Sequence, residues 1–294
     1  NRILVILGPT SVGKTAVAIA VARQINAEII SADSRQIFRH MTICTAKPSP
    51  EELKYAPHHF IDIIDPDESY NAGQFGTEGR KKIQEIIGRG KEVIVAGGSG
   101  LYIRSLIDGL FGNVAKDDDV RSRLREELTR KGTEHVYDRL KSVDPQTASK
   151  IHPNDAKRIE RALEVFEITG KTISEFHASQ AAPFDFEPVM IGLTCERAEL
   201  YKRIEARVDK MIKDGVIEET RWLLEKGYSP KLVSMESLGY REMVQYLNHE
   251  VSYDAMISRF KQGSRNYAKR QWTWFRKDTR IQWRDVDDFE GAEQ

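Results

Sequence analysis

Residues 8–15, Gly-Pro-Thr-Ser-Val-Gly-Lys-Thr, lie between a short apolar run, RILVIL at 2–7, and an alanine-rich stretch, KTAVAIAVARQI at 14–25. They fit G-x-x-x-x-G-K-[ST], a loop that leaves a strand and enters a helix N-terminus. A strand, an anion-binding loop and a helix in that order commit a chain to a parallel sheet with covered faces. Gly8 and Gly13 let backbone N–H groups turn toward an anion, with Pro9, Thr10, Ser11 and Val12 forming the loop between them. Lys14 adds a compact positive charge, and the Thr15 hydroxyl is the expected ligand of Mg²⁺.

The next hundred residues continue the alternation. EIIS (28–31), HFIDII (59–64) and EVIVAGG (92–98) read as strands, and helices are predicted from Asn71 and over SGLYIRSLI (99–107). From about Lys116 to Gln180 the strand signals vanish and charged helical stretches take over, one capped by Asn154 or Asp155 and stopped at Gly170. A β signal returns at PVMIGLT (188–194), a long helix is predicted from Ser252 to about Lys277, and RIQW (280–283) is a possible last strand. The predicted fold is α/β: a P-loop core, 1–114 with 186–294, whose parallel sheet is flanked by helices, and an inserted all-helical subdomain at 115–185. The stretches at 8–15, 31–36 and 97–100 all follow strands, so they are expected to meet at one mouth.

The loop pattern does not say whose phosphates it holds. A nucleotide hydrolase needs an acid at another strand end to complete its Mg²⁺ site. Here EVIVA runs into GGSG without one, although Asp62 or Asp65 is an alternative. Asp33, in SADSRQIF (31–38), follows the second strand; it reads either as the cap of a turn with Ser34 or as a base facing the phosphate loop. A P-loop kinase of a nucleotide or small metabolite is the competing reading.

Lys+Arg and Asp+Glu both number 45, so any affinity for a polyanion must come from local patches. Apolar runs fall short of the roughly 20 residues that span a bilayer, and no membrane partner is expected. Two cysteines, Cys44 and Cys195, are too few for a disulfide or zinc framework. A cytoplasmic monomer is the expectation.

Seven stretches together resemble one family: GPTSVGKT, SADSRQIF, TAKPS (45–49), HHFIDIIDP (58–66), AGGSGLYIRSLIDG (96–109), IHPNDAKRIERALEV (151–165) and NYAKRQWTWFR (266–276). In this order they are similar to the tRNA dimethylallyltransferases of bacterial type, also called tRNA isopentenyltransferases. The family pattern usually has Gly where His40 and Cys44 stand, and Thr in place of Ser99. The resemblance implies that the cradle holds dimethylallyl diphosphate, with Mg²⁺ as cofactor. The dimethylallyl group then passes to N6 of an adenine beside the anticodon, position 37, and pyrophosphate leaves. It implies Asp33 as the base, Thr10 at the bridging oxygen of the diphosphate and an arginine from ELYKRIEARVDKM (199–211). Arg203 and Arg207 both qualify, and the R-V-D-x-M match favours Arg207.

The partner so implied is a tRNA anticodon stem-loop, whose target base must be splayed out to reach a pocket. Asp33, Ser34, Arg35, Gln36 and Ser99 are the expected contacts to the target nucleotide. Arg121 and the helix run Lys157, Arg158, Ile159, Glu160 and Arg161 would grip the stem. Read from the residues alone, that helix is a salt-laced solvated surface. Tyr240 and Arg241, in SLGYRE (237–242), are further candidates. The basic residues near the C-terminus interleave with aromatics, and the Trp and Phe among them are assigned to packing.

Overall fold

The computed structural model describes residues 2–109, 117–178 and 186–289. In the first segment β1 (Arg2–Leu7), α1 (Lys14–Ile25), β2 (Ala27–Ser31), α2 (Pro50–Tyr55), β3 (His58–His59), α3 (Ala72–Gly88), β4 (Glu92–Gly97) and α4 (Gly100–Asp108) follow in turn. The second holds α5 (Asp118–Val143), α6 (Pro145–Ala148), α7 (Ala156–Thr169) and α8 (Ile173–Ala178). The third holds β5 (Glu187–Thr194), α9 (Arg197–Lys213), α10 (Val216–Glu225), α11 (Tyr240–Leu247), α12 (Tyr253–Phe275), β6 (Gln282–Asp285) and a 3₁₀ turn, Val286–Phe289. No helix among the described residues is long and apolar enough to cross a membrane.

The six strands form one sheet in the order β3-β2-β4-β1-β5-β6, with every pairing parallel. Parallel strands need both faces covered, and the sequence supplies the cover. Val17, Ala18, Ile19 and Ala22 of α1 are buried on one side. Phe75, Ile83 and Ile86 of α3 are buried as its apolar stripe predicts. Asn71 caps α3 through a reciprocal pair with Gln74, each side chain accepting the other's backbone N–H at 3.0 Å.

The chain divides into two compact units, Asn1–Ile107 with Asp185–Gln294, and Asp108–Phe184. The edges expected at 114 and 186 involve stretches 110–116 and 179–185, which lie outside the described residues. Within the second unit, α5 and α7 bury Val120, Leu124, Val136, Leu140, Ile159, Ala162 and Leu163 together. The two helices expected before residue 145 run as one element broken at Gly132, whose φ of 83° no helix accommodates. Asp155, and not Asn154, caps α7 by accepting the Arg158 N–H at 3.2 Å.

Two strand expectations are corrected. HFIDII is not a strand: β3 stops at His59, and Phe60 and Asp62 take φ of 66° and 55°. Its alternation arises because the Ile63 and Ile64 N–H groups bond to the Ile37 carbonyl at 2.8 and 3.2 Å, tying the stretch to the segment after β2. The last strand begins at Gln282 and not at Arg280, since Asp278 accepts from Arg280 through backbone and side chain and closes a turn there.

Candidate functional site

β2, β4 and β1 are consecutive in the sheet, so the loops leaving their carboxyl ends adjoin. Ala32 N–H bonds to the Ala96 carbonyl at 2.8 Å, Ser99 N–H to the Ala32 carbonyl at 3.1 Å, and Ser34 N–H to Ser99 Oγ at 2.9 Å. Two of the three predicted stretches, 31–36 and 97–100, therefore form one hydrogen-bonded rim, and the third, the P-loop, lines the cleft behind it. That cleft, of about 480 Å³, is also lined by Asp33 and Gln36, Gly97 and Gly98, and by Arg203, Arg207, Tyr267 and Gln271 from α9 and α12.

Gly13 at φ 102° and Ser11 at φ 65° turn the P-loop backbone into the helix start. Lys14 Nζ donates to the Pro9 carbonyl at 2.7 Å. Burial first, and the neighbouring Arg207 second, lower its pKa to about 7, while Asp33 raises it. Arg207 is also pushed down by burial, with Asp33 as its main compensating charge. Among the described residues it makes no hydrogen bond or ion pair. Arg203, four residues earlier, bonds to Glu199 at 3.1 Å and lies 3.6 Å from Asp287. Of the two candidate arginines, Arg207 is the one left for an anion. Cations held out of water without a partner are costly, and a ligand that supplies negative charge recovers that cost.

Both readings of Asp33 hold at once. Its Oδ1 accepts the Arg35 N–H at 2.8 Å, which is the turn-capping role, while the residue lines the cleft. No hydrogen bond to Oδ2 is formed among the described residues, so one carboxylate oxygen stays available as a proton acceptor. Tyr267, on α12, is half-buried in the same cleft; desolvation first and the Asp33 charge second push its pKa up to about 12, so it is a neutral hydroxyl.

No group of three or more His, Cys, Asp or Glu suited to a metal occurs among the described residues. The Thr15 hydroxyl lines the cleft. That is a poor donor set for zinc but fits Mg²⁺, an ion that keeps several waters and takes few protein ligands.

Several expected contacts are already engaged. Gln36 Oε1 accepts from the Ser31 hydroxyl at 2.9 Å, and Nε2 donates to the Thr45 and Ala46 carbonyls at 3.4 and 3.1 Å. One end of its amide is thus tied to Ser31 and the other holds the 45–46 turn. Arg35 Nη1 donates to the Val233 carbonyl at 3.0 Å.

Tyr240 is corrected outright: it is 0% exposed and donates to Glu219 Oε1 at 2.5 Å, a core tyrosine whose ring has no route to RNA. Arg241 beside it is paired with Glu242 at 2.5 Å. In the second unit Ile159 is likewise 0% exposed, because its apolar side chain closes the α5–α7 core. Arg121 and Arg161 both reach the buried Glu164 at 2.7 Å, and Glu160 pairs with Arg125 at 3.1 Å. Arg158 is exposed, 3.3 Å from Asp155, and Lys157 is exposed with no ion pair among the described residues. The salt-laced reading therefore holds for Arg121, Glu160 and Arg161.

Sequence reasoning missed Gln271 and Tyr267. Both sit among basic and aromatic residues whose composition suggested RNA contact, and only the 3.6-residue period of a helix turned inward distinguishes them. Phe275 packs as expected, whereas Trp274 is 40% exposed and lies against Gly100.

The family model for IPP transferase matches residues 36–278. A tRNA dimethylallyltransferase of Alkaliphilus metalliredigens is 46% identical over 98% of this chain and 93% of its own length. One from Geobacter metallireducens is 46% identical over 96% and 92%. The crystal structure of the full-length tRNA isopentenylpyrophosphate transferase from Bacillus halodurans superposes with a TM-score of 0.72 at 39% identity, covering 97% of this chain and 89% of that one. A eukaryotic dimethylallyltransferase, solved acting on tRNA, reaches a TM-score of 0.83 at 29% identity over 99% and 76%. With the parallel P-loop core, its cleft and this degree of identity along almost the whole chain, the protein belongs to the IPP transferase family.

Proposed function

We propose that the chain is a tRNA dimethylallyltransferase that moves a dimethylallyl group from its diphosphate to N6 of adenine 37. The observation that carries this is the pairing, in one cleft, of a cationic cradle with a carboxylate oxygen free to take a proton. The exocyclic amine of adenine is a weak nucleophile because its lone pair is delocalised into the ring. The N6–C1 bond forms as the C1–O bond breaks, the leaving oxygen keeps the electron pair, and the N6 proton passes to Asp33. Removing that proton is worth about 10²–10⁴-fold.

Pyrophosphate leaves into the P-loop amides, Lys14 and Arg207, whose charges are preorganised for it. Thr15 would hold Mg²⁺, which neutralises the diphosphate when bound. Thr10 is assigned to the bridging oxygen. On the RNA side, Asp33, Ser34 and Ser99 form the rim through which an extruded base would enter, and the exposed Lys157 and Arg158 suit the phosphates of the anticodon stem.

Incubating the protein with labelled dimethylallyl diphosphate, Mg²⁺ and unmodified tRNA should place label in the RNA. ATP turnover without such transfer would instead identify a kinase.

A further inference from the structure

Gln271 lies on α12, in the stretch Lys269-Arg-Gln-Trp-Thr-Trp-Phe-Arg276, yet it is only 7% exposed. Its side chain reaches two loops of the cleft at once. Oε1 accepts the Thr10 N–H at 2.8 Å, and Nε2 donates to the Gly98 carbonyl at 2.9 Å. The fit is close: a Cβ on Gly98 would collide with Gln271 Nε2, so a larger residue there would displace the amide. The amide therefore uses one acceptor and one donor to fix the third residue of the P-loop against the loop after β4. It also withdraws the Thr10 N–H from the anion cradle, leaving the amides further along the loop to bind phosphate.

The other faces of the same stretch are exposed at Lys269, Arg270 and Arg276, and partly at Trp274. A buried polar side chain that satisfies two backbone groups from separate loops fixes their spacing, because each group would otherwise be left unpaired. We infer that Gln271 is a positioning residue: it holds Thr10 in register with the reacting diphosphate, and it ties that register to the helix whose outer faces are basic and aromatic. The inference rests on the prenyl-transfer reading above.

The test compares Gln271→Ala and Gln271→Glu with the wild type in single-turnover transfer to tRNA, alongside pyrophosphate binding by calorimetry. Transfer of label by the wild type settles the reading on which the inference rests, independently of the variants. Gln271→Ala should lose tenfold or more in the transfer rate while its pyrophosphate Kd moves less than threefold, which also shows that the cradle is folded. Gln271→Glu keeps the acceptor for Thr10 but faces the Gly98 carbonyl with a carboxylate; once protonated it donates as the amide does. Its rate relative to wild type should therefore rise as pH falls, whereas the Gln271→Ala ratio stays flat. A wild-type rate for Gln271→Ala would overturn the inference. So would a loss of pyrophosphate affinity as large as the loss of rate, or a flat ratio for Gln271→Glu.

Discussion

The cleft of the first unit and the helices of the second treat their charges in opposite ways. In that cleft Lys14 and Arg207 sit half-buried near Asp33 with no ion pair among the described residues, and desolvation lowers the pKa of both cations. In the second, the buried Glu164 is clasped by Arg121 and Arg161, and Glu127 and Glu167 are bridged by Arg139. Unpaired buried charge costs stability and is kept where a ligand completes it; paired charge shapes a surface helix and serves the fold. One residue type, arginine, is thus left without an ion pair in the cleft, at Arg207, and is mainly paired in the insert.

That contrast can be broken, most forcefully at Asp33. Asp33→Asn keeps an oxygen for the Arg35 N–H but cannot take the N6 proton, so transfer should fall by about 10²–10⁴-fold. Pyrophosphate affinity should stay within a few-fold of wild type; near-normal turnover would return Asp33 to a turn cap. Arg207→Met is next. Losing a charge-assisted contact worth about 1.5–3 kcal/mol should weaken pyrophosphate binding by about 10–150-fold without lowering the Tm, since a desolvated cation that makes no ion pair has gone. A lower Tm would mean that Arg207 holds the fold.

Glu164→Ala is the mirror experiment in the insert. Breaking a fully buried pair costs about 3–5 kcal/mol, and because Arg121 and Arg161 stay partly exposed, roughly half of that is expected here. Hydrogen exchange in α5 and α7 should accelerate while pyrophosphate binding is unchanged. Equal protection in variant and wild type would make the clasp ornamental.

Lys14 sharpens the comparison through pH. With a pKa of about 7 in the empty cradle, it is charged below that pH and neutral above it. A bound diphosphate raises that pKa, so binding takes up a proton above pH 7, and affinity should be level below 7 and fall about tenfold per unit above it. Lys14→Arg, which stays charged, should lack the fall, and the ratio of the two proteins removes the titration of the ligand itself. The smallest effect concerns RNA. Lys157→Ala with Arg158→Ala should weaken tRNA binding several-fold and reduce the salt slope by about 1–2. An unchanged slope would leave those two residues as plain surface.

Much was legible in the linear order. The strand–loop–helix at 2–25 named the fold class, and the buried stripe Leu200, Ile204, Val208 and Met211 was visible at helical spacing. Periodicity and capping act over a few residues, so local sequence encodes them fully. The failures came where partners are distant. HFIDII alternates like a strand but is bent by bonds to Ile37, and Tyr240 sits in a motif that suggested RNA yet is sealed in the core by Glu219.

By itself, the sequence determined the parallel α/β core, the anion cradle and the loops that gather at its mouth, because those follow from patterns a few residues long. Only the tertiary structure decided which arginine stays unpaired, which glutamine braces the cradle and which charges of the insert are already neutralised. Those outcomes depend on what lies across space: Asp287 beside Arg203, Gly98 beneath Gln271, Glu164 between two arginines. The free energy of a charge is set by its surroundings, and no run of neighbours along the chain specifies them.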